Sequence, residues 1–159
     1  MSEKTKSSLF TQRRGGADPP VGPPLVGALL RRPLDVVRQH MLDRLHEHGF
    51  DDLDAAHLNV LQYPGPDGVR PSDLAAQLRM SKQALNYILG QLERFGYLER
   101  QPDPDDQRSK RIVLTERGRS LVPVIRAAVG EVEDAWSQEL GAERFSQLRS
   151  LLVELNRLT

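Results

Sequence analysis

Ser72-Asp-Leu-Ala-Ala-Gln-Leu-Arg-Met-Ser-Lys-Gln-Ala-Leu-Asn-Tyr-Ile-Leu-Gly-Gln-Leu-Glu-Arg-Phe-Gly-Tyr-Leu-Glu-Arg100 reads as two short helices separated by a tight break. In the first, Leu74, Ala75 and Leu78 share one face, and Pro71 stands where a first helical residue tolerates a missing N–H. Ser81 opens the second as an N-cap, its hydroxyl placed to accept a hydrogen bond from a free N–H of the first turn. Leu85, Ile88, Leu89, Leu92 and Phe95 then recur at helical spacing, which predicts one buried stripe. Phe95-Gly96 supplies the glycine that ends such a helix.

The opposite face carries Lys82, Gln83, Asn86, Tyr87 and Gln91, mostly near the N-terminal end that a helix-turn-helix presents to base edges. Amide side chains pair bidentately with adenine, and the small Ala84 allows contact with a thymine methyl or a close backbone approach. Next, Tyr97–Arg100 and Arg111–Leu114 alternate like strands around a polar tip with two prolines. Two helices plus such a hairpin predict a winged helix, with Val69 as a short third strand.

At this point the chain resembles a known family. Leu74-Ala75, Ser81, the run Leu92-Glu-Arg-Phe-Gly-Tyr-Leu-Glu-Arg100, the wing Asp103-Pro-Asp-Asp-Gln-Arg108 and Leu114-Thr-Glu-Arg-Gly118 look like MarR-type transcriptional regulators. The likeness runs from about Leu25 to the end. It implies a fold that is mainly α with a small β-hairpin wing (α+β), a winged helix-turn-helix core flanked by N- and C-terminal dimerisation helices. It also implies double-stranded DNA as partner, with Ser81, Lys82, Gln83, Ala84, Asn86 and Tyr87 on the recognition helix and Asp106, Arg108 and Lys110 on the wing. Asp106 and Arg108 stand two apart, which on an extended arm puts both side chains on one side. In the family the matching aspartate orients the matching arginine for the minor groove, whose narrowness concentrates negative potential.

Outside the core, residues 1–24 are rich in Gly and Pro and are expected to be a disordered tail. Lys4, Lys6, Arg13 and Arg14 leave open a groove-reaching arm beside the blander solvated tail. Residues 25–159 form the domain: 25–50 and 120–159 as dimerisation helices, 54–118 as the DNA-binding core. Leu25, Leu29, Leu30, Leu34, Val37, Met41 and Leu45 keep a helical period from Leu25 to His48, with Pro33 marking a kink or a restart. A shorter helix is expected over Asp54–Tyr63, with Leu58 and Leu61 inward. After the wing, Thr115 is an N-cap for a long helix to about Gln138, and Gly141 separates it from the last. That last helix presents Phe145, Leu148, Leu152, Leu155 and Leu158 as one stripe. Two flanking apolar helices are surplus to reading DNA, so Leu30, Leu34, Phe145, Leu148, Leu152 and Leu155 are expected to pack against a second copy. A two-fold homodimer spaces its recognition helices about 34–36 Å apart and reads a pseudo-palindromic site.

Composition bounds the rest. At 159 residues the chain fits one domain, and its net charge is zero. Residues 70–119 nevertheless hold ten Lys/Arg against seven Asp/Glu, a local excess of three positive charges suited to phosphate. The absence of cysteine excludes disulfides, thiolate metal sites and a cysteine redox switch. No signal peptide or membrane span is apparent, so a cytoplasmic location is expected. His40, His46, His48 and His57 lack metal-ligand spacing, and they read as surface or satisfied core residues. No catalytic residue, Gly-rich phosphate loop or nucleophile elbow is found, and no cofactor is expected. The resemblance implies a small-molecule effector pocket between the first, second and long fifth helices, without assigning its residues. The rival reading is a winged-helix protein-interaction module that has lost DNA reading, for which neutral net charge and Glu93 near the recognition helix speak.

Overall fold

A computed structural model describes residues 23–62, 64, 65, 67–106 and 108–158. The tail expected over 1–24 lies, but for Pro23 and Pro24, outside them. The elements are α1 (Val26–Glu47), α2 (Ala55–Leu61), α3 (Pro71–Leu78), α4 (Lys82–Arg94), β1 (Leu98–Pro102), β2 (Lys110–Leu114), α5 (Glu116–Leu140) and α6 (Ala142–Arg157). The fold is thus mainly helical with one antiparallel hairpin, as the pattern predicted. Two compact units divide the described residues: one within 41–127, and one formed by 23–40 with 128–158.

The unit 41–127 is the winged helix. Its core gathers Leu45, Leu58, Leu61, Leu74, Leu85, Leu89, Leu92, Tyr97, Ile112 and Leu121, all buried. The predicted stripe of α4 is the inner one, and truncating a fully buried member such as Leu89 costs about 2–5 kcal/mol. α2 is shorter than expected. It starts after Asp54, whose carboxylate accepts from the N–H groups of Ala56 (2.8 Å) and His57 (3.0 Å) while His57 Nδ1 accepts from the Asp54 N–H. It buries His57 and Val60 beside Leu58 and Leu61; Tyr63, the expected end, is not among the described residues.

α3 ends in a turn that periodicity could not foresee. The Arg79 N–H bonds the Ala76 carbonyl (3.2 Å) and the Met80 N–H the Ala75 carbonyl (3.0 Å), the paired closure usually built on glycine. Arg79 is left-handed, with φ 51°. That conformation costs an ordinary side chain about 1–2 kcal/mol.

In the hairpin, Leu98 pairs with Leu114, Arg100 with Ile112 and Pro102 with Lys110. Val69 adds the third-strand contact, exchanging bonds of 3.0 and 2.8 Å with Ile112. Gly68 makes this approach possible: at φ +74°, a Cβ there would lie 2.7 Å from the Ile112 carbonyl oxygen.

In the other unit α1 runs unbroken through Pro33, so no restart occurs there. Ala128 and Val132 are buried, and His40 Nε2 lies 2.7 Å from a Glu131 carboxylate oxygen. Leu30, Leu34, Leu148 and Leu155 are exposed, Phe145 and Leu152 half-buried, and α6 buries no residue fully. Among the described residues no helix is long and apolar enough to cross a membrane.

Candidate nucleic-acid interface

Burial of one stripe leaves the other face of α4 in solvent. Ser81, Lys82, Gln83, Ala84, Asn86 and Tyr87 are all exposed, Tyr87 by 69%. Gln91 is half-buried. The Ser81 hydroxyl accepts from the Ala84 N–H at 3.2 Å, so its first task is to hold the helix end. Glu93 sits at the far end of α4 and accepts from Arg100 Nε at 2.8 Å. At 1.5 Å rise per residue, that paired acid lies roughly 16 Å along the helix from Lys82.

The wing corrects one expectation. The strands stop at Pro102 and resume at Lys110, so Asp106 and Arg108 lie in a turn and not on an extended arm. Alternation does not apply to them. The Asp106 carboxylate accepts from the backbone N–H of Arg108 (3.0 Å) and the hydroxyl of Ser109 (2.7 Å), while its carbonyl accepts from the Ser109 N–H. The Ser109 hydroxyl first, and the Arg108 N–H second, hold this carboxyl below its ordinary value. Asp106 thus shapes the backbone that carries Arg108. Among the described residues the Arg108 guanidinium has no ion pair; it is exposed, as is Lys110 at the start of β2.

Two arrangements were not foreseen. Asp103, read as part of the polar tip, is fully buried and anchors the wing's base. One carboxylate oxygen accepts from Arg70 Nε (2.6 Å) and Arg111 Nε (3.1 Å), the other from the Asp105 N–H (2.9 Å). Arg70 immediately precedes α3, so this carboxylate ties the wing to the first helix of the pair. The Arg70 hydrogen bond above all holds the Asp103 carboxyl far below the usual carboxylate range. The signal available was Asp103-Pro-Asp105, an Asx-turn pattern, though nothing local names Arg70 as partner.

The second is the role of Leu114-Thr-Glu-Arg-Gly118. The Thr115 hydroxyl donates to the Gly96 carbonyl (2.5 Å) and accepts from the Gly118 N–H (3.0 Å), capping α5 as expected. The Arg117 guanidinium stacks 4.3 Å over the Tyr97 ring and reaches Asp52 at 3.1 Å, and the Tyr97 hydroxyl donates to Asp52. Burial chiefly, and that bond, push the Tyr97 phenol well above its ordinary value. Gly118 passes so close to Tyr97 that a Cβ would stand 2.1 Å from its carbonyl oxygen. The motif is therefore a latch that fixes the end of α4 and the start of the wing, away from the exposed face.

The four histidines have separate partners: Glu131 for His40, the Leu53 carbonyl for His46, the Arg44 carbonyl for His48 and Asp54 for His57. A cavity of about 210 Å³ is lined by Arg44, His48, Pro123, Val124 and Ala127.

The MarR family model matches residues 48–109, from the end of α1 to the wing tip. The HTH-type transcriptional regulator YkoM of Bacillus subtilis is 32% identical over 89 residues, 56% of this chain and 56% of its own length. This chain thus spans little more than half of that relative. Among solved structures, the transcriptional repressor CouR bound to a 23-mer DNA duplex is 25% identical, with a TM-score of 0.63 over 83% of this chain and 92% of CouR. Apo MarR of E. coli has a TM-score of 0.68 over 84% of this chain and 98% of its own, at 24% identity, a likeness of fold. With the hairpin and its latch in the order the motifs require, these matches lead to one conclusion: over residues 48–109 the chain matches the MarR family, and it carries the winged helix-turn-helix fold of the MarR structures.

Proposed function

We propose that this protein is a transcriptional regulator that binds a pseudo-palindromic duplex site as a homodimer, represses, and responds to a small-molecule effector. The observation that carries the DNA reading is the exposed, acid-free N-terminal half of α4, together with a wing whose Arg108 and Lys110 are exposed and cationic. Lys82, Gln83, Ala84, Asn86 and Tyr87 then meet base edges, Ser81 seats the helix, and Arg108, held by the turn that Asp106 builds, enters the adjoining minor groove with Lys110 on phosphate. CouR's duplex-bound structure supports this assignment by fold. The exposed Leu30, Leu34, Leu148 and Leu155, with half-buried Phe145 and Leu152, support self-association through residues 25–50 and 120–159, leaving 54–118 as the DNA-binding core. For the effector, the cavity lined by Arg44, His48, Pro123, Val124 and Ala127 is the candidate site. An effector acts only through unequal affinity for the DNA-competent and incompetent forms.

Titration of duplex DNA at several salt concentrations is the test. Counterion release requires log affinity to fall linearly with log salt. Binding that is absent or insensitive to salt refutes the reading in favour of a protein-interaction module. Sedimentation of the parent protein and of a Leu148→Glu, Leu155→Glu double variant checks the dimer: a folded double variant that still sediments as a dimer places the interface elsewhere.

A further inference from the structure

We infer that Arg79, in the turn between α3 and α4, is a phosphate-binding side chain that anchors this turn beside the groove α4 occupies, kept at the expense of the fold's own stability. The inference rests on the DNA-binding reading above.

Every other positive-φ residue described is a glycine: Gly49, Gly68, Gly96 and Gly141. Arg79 alone departs from that rule, in a helix-ending turn whose geometry favours glycine. A residue that breaks a local preference without a compensating contact in the fold points to a role outside it. No such contact is present: Arg79 is exposed, and among the described residues its guanidinium has no carboxylate or carbonyl partner. Its neighbours differ, since Arg70 and Arg111 hold Asp103, Arg100 holds Glu93 and Arg117 holds Asp52.

Electrostatics and position agree. Residues 74–92 contain no Asp or Glu, and their only charges are Arg79 and Lys82. The turn and all but the last residues of α4 thus form an uninterrupted positive segment at the mouth of the proposed base-reading face. A guanidinium presents a planar fork of donors that matches two phosphate oxygens, and such contacts set register without reading sequence.

The test compares the parent with Arg79→Gly, Arg79→Asn and Arg79→Lys on a mixed-sequence duplex of about two helical turns, by fluorescence anisotropy across a salt series, with urea unfolding of each protein. Arg79→Gly is expected to raise the urea midpoint, because the strain is relieved, while weakening binding about tenfold near 0.1 M salt. The log–log salt slope should shrink by about 0.9 for each protomer on the duplex, about 1.8 for a bound dimer. Arg79→Asn, which tolerates the left-handed turn without a charge, should lose binding similarly, and Arg79→Lys should keep the slope. If Gly and Asn variants bind as the parent does, with the same slope, Arg79 contacts no phosphate. Weaker binding with an unchanged slope and a lower urea midpoint would make the residue structural, also overturning the proposal. A parent with no salt-dependent duplex binding removes the DNA-binding reading itself, and this inference with it.

Discussion

Adding one methyl group at Gly118 should destabilise the winged helix, although alanine is the better helix former. Gly118 lies in the first turn of α5, so Gly118→Ala gains up to about 1 kcal/mol of helix propensity. Against this, the new Cβ would stand 2.1 Å from the Tyr97 carbonyl oxygen, and the atom in the way belongs to backbone. Ordinary C···O contact needs about 3.3 Å, so α5 and the Tyr97 peptide must separate by roughly 1 Å. That separation loosens the Thr115 N–H bond to the same carbonyl (3.1 Å) and disturbs the Thr115 cap. Overpacking costs about 1–3 kcal/mol, a lost hydrogen bond about 1 and a damaged cap about 1, and these overlap. Net destabilisation should be about 2–4 kcal/mol, a Tm drop of roughly 4–16 °C at this chain length. Urea unfolding followed by circular dichroism measures it. Gly90→Ala in α4 is the control, because its Cβ meets nothing within 4 Å and propensity alone should stabilise it. If Gly118→Ala is as stable as the parent, the latch does not constrain the fold and the close approach is of no consequence.

Changing Gln83 and Asn86 to Ala should lower the ratio of cognate to random-duplex affinity by about 1–3 kcal/mol per lost bidentate contact, read by competition titration; equal losses on both duplexes would mean that α4 does not read bases. Arg108→Ala should weaken binding and shrink the salt slope by about 0.9 per protomer, about 1.8 for a bound dimer, while Asp106→Ala should weaken binding even though it removes a charge that repels phosphate, because the turn loses its acceptor. Tighter binding by Asp106→Ala would reduce the wing to ordinary surface charge. The depressed Asp103 carboxyl contributes stability that is complete above its unfolded value, about 4, and is lost as pH falls toward its folded value. Urea midpoints should therefore drop below about pH 4 in the parent and less steeply in Asp103→Asn; identical acid limbs would show that the Arg70 and Arg111 contacts do not form in solution.

What could be read from the chain alone was whatever neighbours in sequence decide. The stripe Leu85, Ile88, Leu89 and Leu92, the Ser81 and Thr115 caps and the Gly96 stop depend on residues a few positions apart, and the structure carries them; the hairpin is present too, but its strands run Leu98–Pro102 and Lys110–Leu114 where Tyr97–Arg100 and Arg111–Leu114 were expected. The exposed set on α4 followed too, since burying one face of a helix leaves the other in solvent. Charge could be counted but not paired: Asp103 meets Arg70 across 33 positions and Tyr97 meets Asp52 across 45, so only tertiary structure could turn a polar loop residue into a buried anchor. The wing tip failed for a related reason. Alternation assumes extended backbone, and Asp106 instead uses its carboxylate to fold the tip into a turn, which no periodicity records. Leu114–Gly118 was legible as a motif, but its purpose was not, because what requires a glycine at 118 is the Tyr97 carbonyl that three-dimensional packing brings beside it. The left-handed Arg79 is likewise a matter of tertiary structure: composition shows an arginine in a turn, and only the closed turn shows that it stands where the backbone would rather have glycine.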